Sequence, residues 1–383
     1  MLPYLFVFAI SIFSTYLAQL CYNRNNKFLF VLFSAVAILT PALLAGFRDS
    51  GIGTDTEIYV DDIWNQFKHI NSWGQFYKYY KNEEFQDIEF VYLALNYIVS
   101  QFGENLGYIY FASNFVVVFF VYLTAFDNRN KASMWLIMTL FLFMYYNSSL
   151  NLVRQSIALV FCLYSFKYFE RRQWIKAIIW TIIILQSHNT GVFYLLLIGI
   201  YFLFQIKNKY IRNILLVINV FAIAVLFSVS DLFLVLLVSN GILPSKFLYY
   251  LASESDSDEL TKSILINYIY FAGVLFFTYT KYHKRDQPKK ELIFYSYSKI
   301  IGAVLFMTSL ISKWAYRISF YVNYPVDIVF FPRSLQLLKQ KSKIHYTIVL
   351  TLSLILILIT WYWTIILNNG NETYPYKSKI LGI

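Results

Sequence analysis

The residues able to do chemistry lie in four short polar stretches of an otherwise apolar chain of 383 residues. The first, FRDSGIGTDTEIY (47–59), holds Arg48, Gly53, Thr54, Asp55 and Tyr59. Gly51 and Gly53 permit a left-handed backbone close to a ligand. Asp55-Thr56 has the pattern of a helix N-cap, whose side-chain oxygens accept early N–H groups. A ligand loop and a plain capped turn are both readings of this stretch. The second, NSSLNLVRQS (147–156), holds Arg154 and Gln155; the third, QSHNTG (186–191), holds Ser187 and His188. The fourth runs from Lys313 through Arg317 into NYPVD (323–327), where Pro325 and, further on, Pro332 are expected to break or kink a helix that carries Asp327.

Arginine on an apolar helix end is costly unless it snorkels or meets an anion. The carboxylates nearest to Arg154 in sequence are Asp127 and Glu170, so no local salt bridge is expected. An anion is then its natural partner, with Asn147, Ser148 and Asn151 at hand to orient it. The guanidinium fork matches phosphate oxygens and keeps its charge, so Arg48, Arg154 and Arg317 together suit a diphosphate. His188 titrates near working pH, and either it or Asp55 can take the proton of a sugar hydroxyl. Asp327 is either a substrate-facing carboxylate or half of a structural pair with a nearby Lys or Arg. These parts suit glycosyl transfer from a polyprenyl-diphosphate donor. A transporter or flippase of such lipid-linked units is the competing class; it predicts inverted repeats and charge spread along a cavity, and no repeat is present.

The elements that must position these groups are membrane helices. Hydrophobic residues make up 58% of the chain and charged residues 14%, against about 25% charged in soluble domains. Apolar runs fall at 2–22, 28–46, 108–126, 134–148, 153–169, 174–187, 190–206, 213–230, 264–281, 292–311, 318–337 and 346–366. The expected fold is therefore all-α, a single polytopic membrane domain over 1–383 with about twelve transmembrane helices. The stretch 88–102 is short and flanked by Glu89 and Glu104, and is expected as an interfacial or re-entrant helix under a first outer loop, 47–107. A second long outer loop is expected at 231–263.

The net charge of +11 reports topology here and implies no nucleic-acid partner. Of the 32 Lys and Arg, 19 fall in alternate connections, from Arg24/Lys27 to Lys339/Lys341/Lys343; the opposite connections hold 11, with 16 of the 21 acidic residues. The basic side is cytoplasmic, which places both termini outside. Cys21 and Cys162 lie in apolar runs, so no disulfide is expected. Metal and nucleotide motifs are missing, so neither a metal nor a cofactor is expected.

FRDSGIGTDTEIY (47–59), LVRQSIALVFCLYSFKYF (152–169), SHNTG (187–191) and YRISFYVNYP (316–325) resemble, in order and spacing, the EpsG family of Wzy-like polysaccharide polymerases. The resemblance implies a multi-pass enzyme of the bacterial inner membrane, glycosyltransferase-C-like, with its active site on the outer, periplasmic face. Such enzymes join undecaprenyl-diphosphate-linked oligosaccharides into O-antigen, capsule or exopolysaccharide, beside a flippase and a chain-length regulator. The family's R…GTD…Y falls on Arg48, Gly53, Thr54, Asp55 and Tyr59, its RQ on Arg154 and Gln155, its His turn on Ser187 and His188, and its late arginine on Arg317. Asn189 departs from the pattern, which has a small or apolar residue after the histidine. The resemblance implies that the arginines hold the diphosphate and that Asp55 or His188 is the base.

Overall fold

The computed structural model describes residues 1–81, 85, 88–228, 235, 238–240, 258–282, 287–307 and 315–383. Most of the expected second outer loop, 231–263, and Lys313 lie outside the described residues. Within them the chain is helical and has no strand. The helices are α1 (Leu2–Asn23), α2 (Lys27–Gly46), α3 (Asp61–Phe67), α4 (Trp73–Lys81), α5 (Phe90–Ser100), α6 (Gly107–Asp127), α7 (Met134–Met144), α8 (Tyr146–Asn151), α9 (Val153–Glu170), α10 (Trp174–Leu185), α11 (Tyr194–Gln205), α12 (Lys209–Ser228), α13 (Asp258–Thr280), α14 (Gln287–Phe306), α15 (Phe320–Pro325), α16 (Phe331–Lys341) and α17 (Lys343–Trp361). By length and apolarity, Leu2–Asn23, Lys27–Gly46, Gly107–Asp127 and Lys343–Leu367 are each able to cross a membrane alone. Among the described residues, Phe90–Ser100, Met134–Met144, Trp174–Leu185 and Asn189–Gln205 are shorter apolar helices. The chain is thus a polytopic membrane protein: among the described residues four helices are long and apolar enough to cross a membrane, accompanied by shorter apolar helices.

The helices gather into two compact units, residues Met1–Val192 with Leu352–Ile383, and residues Phe193–Thr351. In the first, α1 and α2 form a hairpin packed through small residues. Ser11, Thr15 and Ala18 on α1 and Ala37 and Ala42 on α2 have no exposure, and Ser11 Oγ donates to the Ala37 carbonyl at 2.7 Å. Small side chains let membrane helices approach at backbone distance. Gly46 and Gly107 do the same for α2 and α6: a Cβ on Gly107 would lie 2.6 Å from the Gly46 carbonyl oxygen.

One end of this unit is basic. Arg129 lies over the Tyr22 and Phe126 rings, and Lys167 pairs with Asp127. The other end gathers Tyr4, Gly46, Gly107 and the segment after α17. There Tyr4 donates to the Thr373 carbonyl at 2.6 Å and Tyr376 to that of Leu44 at 2.8 Å. Helices α3, α4 and α5 belong to this same end: Phe76 touches both Phe90 and Tyr97, and Gln101 donates to the Ile70 carbonyl at 2.9 Å.

The expected run 134–148 is interrupted. Tyr145 (φ −131°) ends α7, and Leu152 (ψ 60°) separates α8 from α9. Serine and asparagine here offer the backbone alternative partners, as when Ser149 Oγ donates to the Tyr146 carbonyl at 2.6 Å.

In the second unit, α13, α14, α15 and α16 pack around a polar centre. Of the expected break or kink, Pro325 makes no break, and the helix changes hydrogen-bond register beyond it. The backbone stays helical at Pro325 and Val326 and absorbs the missing N–H in a π-turn, Val326–Phe330, before Pro332 enters the first turn of α16. The Phe331 N–H reaches back to the Val326 carbonyl, so the helix runs on into α16 without a free N-terminus.

Candidate functional site

The site of the first unit begins at the break between α8 and α9. Because the helix stops at Leu152, the Leu150 carbonyl is available, and Arg48 Nη1 donates to it at 2.7 Å. The Arg48 guanidinium also lies 4.6 Å from the Tyr110 ring centre, so this arginine is buried and ties loop to helix. Gly53 fits against the same break. Its φ is +88°, and a Cβ would stand 2.8 Å from the Leu150 oxygen. Only glycine meets both conditions. The Gly53 amide donates to the Glu372 carbonyl at 2.8 Å, and Asp49 N–H to that of Lys377 at 3.0 Å, so the C-terminal segment backs the loop.

Thr54 and Asp55 then open a helical turn that is π-helical over Thr56–Val60. The expected cap is replaced. Asp55 makes no side-chain cap bond; instead its Oδ2 accepts from Tyr59 Oη at 2.7 Å. Thr56 Oγ1 closes the turn by accepting from Gly51 N–H at 3.2 Å and donating to the Gly53 carbonyl at 2.5 Å. The Asp55 amide is fixed by Asn151 Oδ1 at 3.1 Å. Burial, then the Asp55 charge, pushes the Tyr59 phenol well above its ordinary value, which keeps it a donor.

Arg154, at the start of α9, lies over Tyr59 with Cζ 4.3 Å from the ring centre. It is also ion-paired, which corrects the expectation drawn from its sequence neighbours: Nη1 meets Glu89 Oε2 at 2.8 Å. Glu89 stands just before α5 and comes from 65 residues away. Its other oxygen, Oε1, accepts from the Asn189 amide at 2.9 Å. Asn147, expected to orient Arg154, holds Thr373 Oγ1 at 2.9 Å and Trp361 Nε1 at 3.0 Å.

The third stretch is thereby joined to the first two. Ser187 is buried and donates to the Ile183 carbonyl at 2.7 Å. His188 Nδ1 accepts from the Thr190 amide at 3.1 Å and contacts Thr190 Oγ1 at 2.7 Å. With Nδ1 accepting from a backbone N–H, the neutral ring carries its proton on Nε2. In that tautomer Nε2 is the donor nitrogen of His188. Gln155 is buried beside Arg154.

Asp55, Tyr59, Arg154, Glu89 and the His188 turn thus form one continuous chain of contacts, with Arg48 and Gly53 framing it. Glu89 was missed by the sequence reading. Its only sequence signal was an acidic residue flanking a short apolar run.

Arg317 and Asp327 belong to the second unit. Arg317 lies in a 3₁₀ turn, Ala315–Ser319, before α15. Asp327 is fully buried and pairs with Lys299 Nζ at 2.5 Å. Asn323 completes the cluster: its Oδ1 lies 3.3 Å from Lys299 Nζ, and its Nδ2 donates to Tyr268 Oη at 2.9 Å and to the Gly302 carbonyl at 3.1 Å. Of the two readings for Asp327, a pair with a neighbouring lysine is the one the contacts carry.

A family model described as the EpsG family matches residues 31–378. Comparison with curated proteins and with solved structures gives no match.

Proposed function

The chain belongs to the EpsG family, a Wzy-like polymerase-type family, and on that premise we propose that it joins undecaprenyl-diphosphate-linked oligosaccharides into a surface polysaccharide. The single observation that carries this reading is the convergence of Asp55, Tyr59, Arg154 and the His188 turn at one end of the first unit. That end lies opposite the basic end of Arg129 and Lys167. Since basic ends face the cytoplasm, the site opens on the outer face of the bacterial inner membrane.

In this reading a hydroxyl oxygen of the acceptor unit attacks the anomeric carbon of the growing chain. The carbon–oxygen bond to the lipid diphosphate breaks, the diphosphate leaves with the electron pair, and Asp55 takes the hydroxyl proton. Arg154 neutralises the leaving group, with His188 Nε2–H as a donor. Preorganised charge of this kind is the main lever on a developing anion. Arg48 holds the frame through Leu150 and adds positive potential from behind. Gly53, Thr54, Tyr59, Gln155 and Ser187 shape the substrate surface.

The test supplies the full chain in lipid bilayers with an undecaprenyl-diphosphate-linked oligosaccharide. A ladder of longer chains is expected, with one undecaprenyl diphosphate released per linkage. Arg154→Ala should abolish it, and Arg154→Lys should lower it strongly, because lysine keeps the charge and loses the fork. Units that cross the bilayer without chain growth would make the protein a transporter instead.

A further inference from the structure

Glu89 occupies the position before α5, where a carboxylate ordinarily accepts from the first amides of its own helix. It makes no such cap. Its two oxygens go instead to Arg154 Nη1, at 2.8 Å, and to the Asn189 amide, at 2.9 Å. The carboxylate therefore forgoes local stabilisation to bridge two distant segments, both of them in the candidate site.

The pair is asymmetric. The Glu89 side chain is 6% exposed and that of Arg154 is 18% exposed. An anion arriving from solvent meets the guanidinium before the carboxylate. A diphosphate brings more charge than one carboxylate, and its oxygens match the guanidinium fork. A buried arginine without any counter-ion is costly, so an empty site needs an internal anion to keep Arg154 charged, extended and aimed.

Resting on the diphosphate reading above, we propose that Glu89 is a displaceable counter-ion of the donor site. It positions Arg154 over Tyr59 while the site is empty and yields the guanidinium to the diphosphate of the lipid-linked donor. Glu89 also holds the Asn189 amide, so its displacement reaches the His188 turn. Donor arrival and the placing of His188 are coupled through one carboxylate.

Inorganic pyrophosphate, titrated into the detergent-solubilised full chain and followed by thermal shift, is the probe. Glu89→Gln keeps shape and removes the competing charge. It should bind pyrophosphate about tenfold more tightly than the unaltered chain, the scale of one partly screened charge pair. The gain must act through the arginine, so Glu89→Gln added to Arg154→Ala should bring no gain over Arg154→Ala alone. In the polymerisation assay, Glu89→Gln should lower the KM for the lipid-linked donor, whereas a merely structural carboxylate would raise it. Equal or weaker pyrophosphate binding by Glu89→Gln overturns the proposal. If that variant fails to accumulate, Glu89→Asp decides by the same comparison: its shorter arm weakens the pair, so tighter binding supports displacement and weaker binding refutes it. Failure of the underlying reading looks different. Arg154→Ala would then bind pyrophosphate as well as the unaltered chain, whatever stands at position 89.

Discussion

Asp55 accepts from Tyr59 at 2.7 Å while Asn151 holds its amide at 3.1 Å, so its carboxylate is aimed by a ring and a backbone bond together. Asparagine at this position can still accept from Tyr59, and the turn should survive the change. What it loses is basicity. Asp55→Asn should therefore lower chain elongation by about 10²–10⁴-fold, the range for a positioned general base, with protein level unchanged and single repeat units still delivered. A normal ladder from this variant would reduce Asp55 to an acceptor for Tyr59. At this scale the sequence was informative where a residue's type carried its own cost: an arginine at an apolar helix end, or glycines beside an aspartate. It was silent on Glu89, whose role depends on a partner 65 residues away. The same distance made Arg154 look unpaired, since sequence neighbourhood says little about contacts made between helices.

Among the described elements, hydropathy located the long apolar helices α1, α2, α6 and α17, because apolar length is what a bilayer demands; it passed over the short, more polar α3 and α4. It did not show how the apolar runs are interrupted. The breaks at Tyr145 and Leu152 fall at either end of a short polar helix, and the break at Leu152 frees the carbonyl of Leu150 against which Arg48 and Gly53 sit. The π-turn after Pro325 is another case: the proline was visible, but the helix continued by a change of hydrogen-bond register. That turn carries Asp327 against Lys299 of α14, with both side chains fully buried. Removing one partner strands a charge, so Lys299→Met should cost about 3–5 kcal/mol of stability. Replacing both, as Lys299→Met with Asp327→Leu, should recover most of it, as read by thermal denaturation in detergent. The double variant also separates the roles left open by the sequence. Restored stability with a normal polysaccharide ladder makes the pair a helix-to-helix fastener, and restored stability without polymer gives Asp327 a part in the reaction.

At the scale of the first unit, charge and geometry agree on an orientation. Helix α1 runs from Tyr4, bonded to Thr373, to Tyr22, which lies under Arg129. A helix of its length spans about 30 Å at 1.5 Å per residue, the thickness of a hydrocarbon core. The α4–α5 pair returns to the end it left, since Glu89 meets Arg154 and the Glu104 carbonyl accepts from Trp64 Nε1 at 3.1 Å. The next crossing is therefore α6, and Asn130 should lie on the cytoplasmic side with Arg129. Single cysteines test this in a chain where Cys21→Ser and Cys162→Ser remove the native thiols. A membrane-impermeant thiol reagent added to intact cells should label Lys78→Cys, on α4, and Lys379→Cys, in the C-terminal segment. It should reach Asn130→Cys only after the membrane is permeabilised. Labelling of position 130 in intact cells, with Lys78→Cys protected, would invert the unit and turn the candidate site toward the cytoplasm. Labelling of 78 and 130 alike would mean that α6 does not cross, and the outer-face polymerase reading would fall with it.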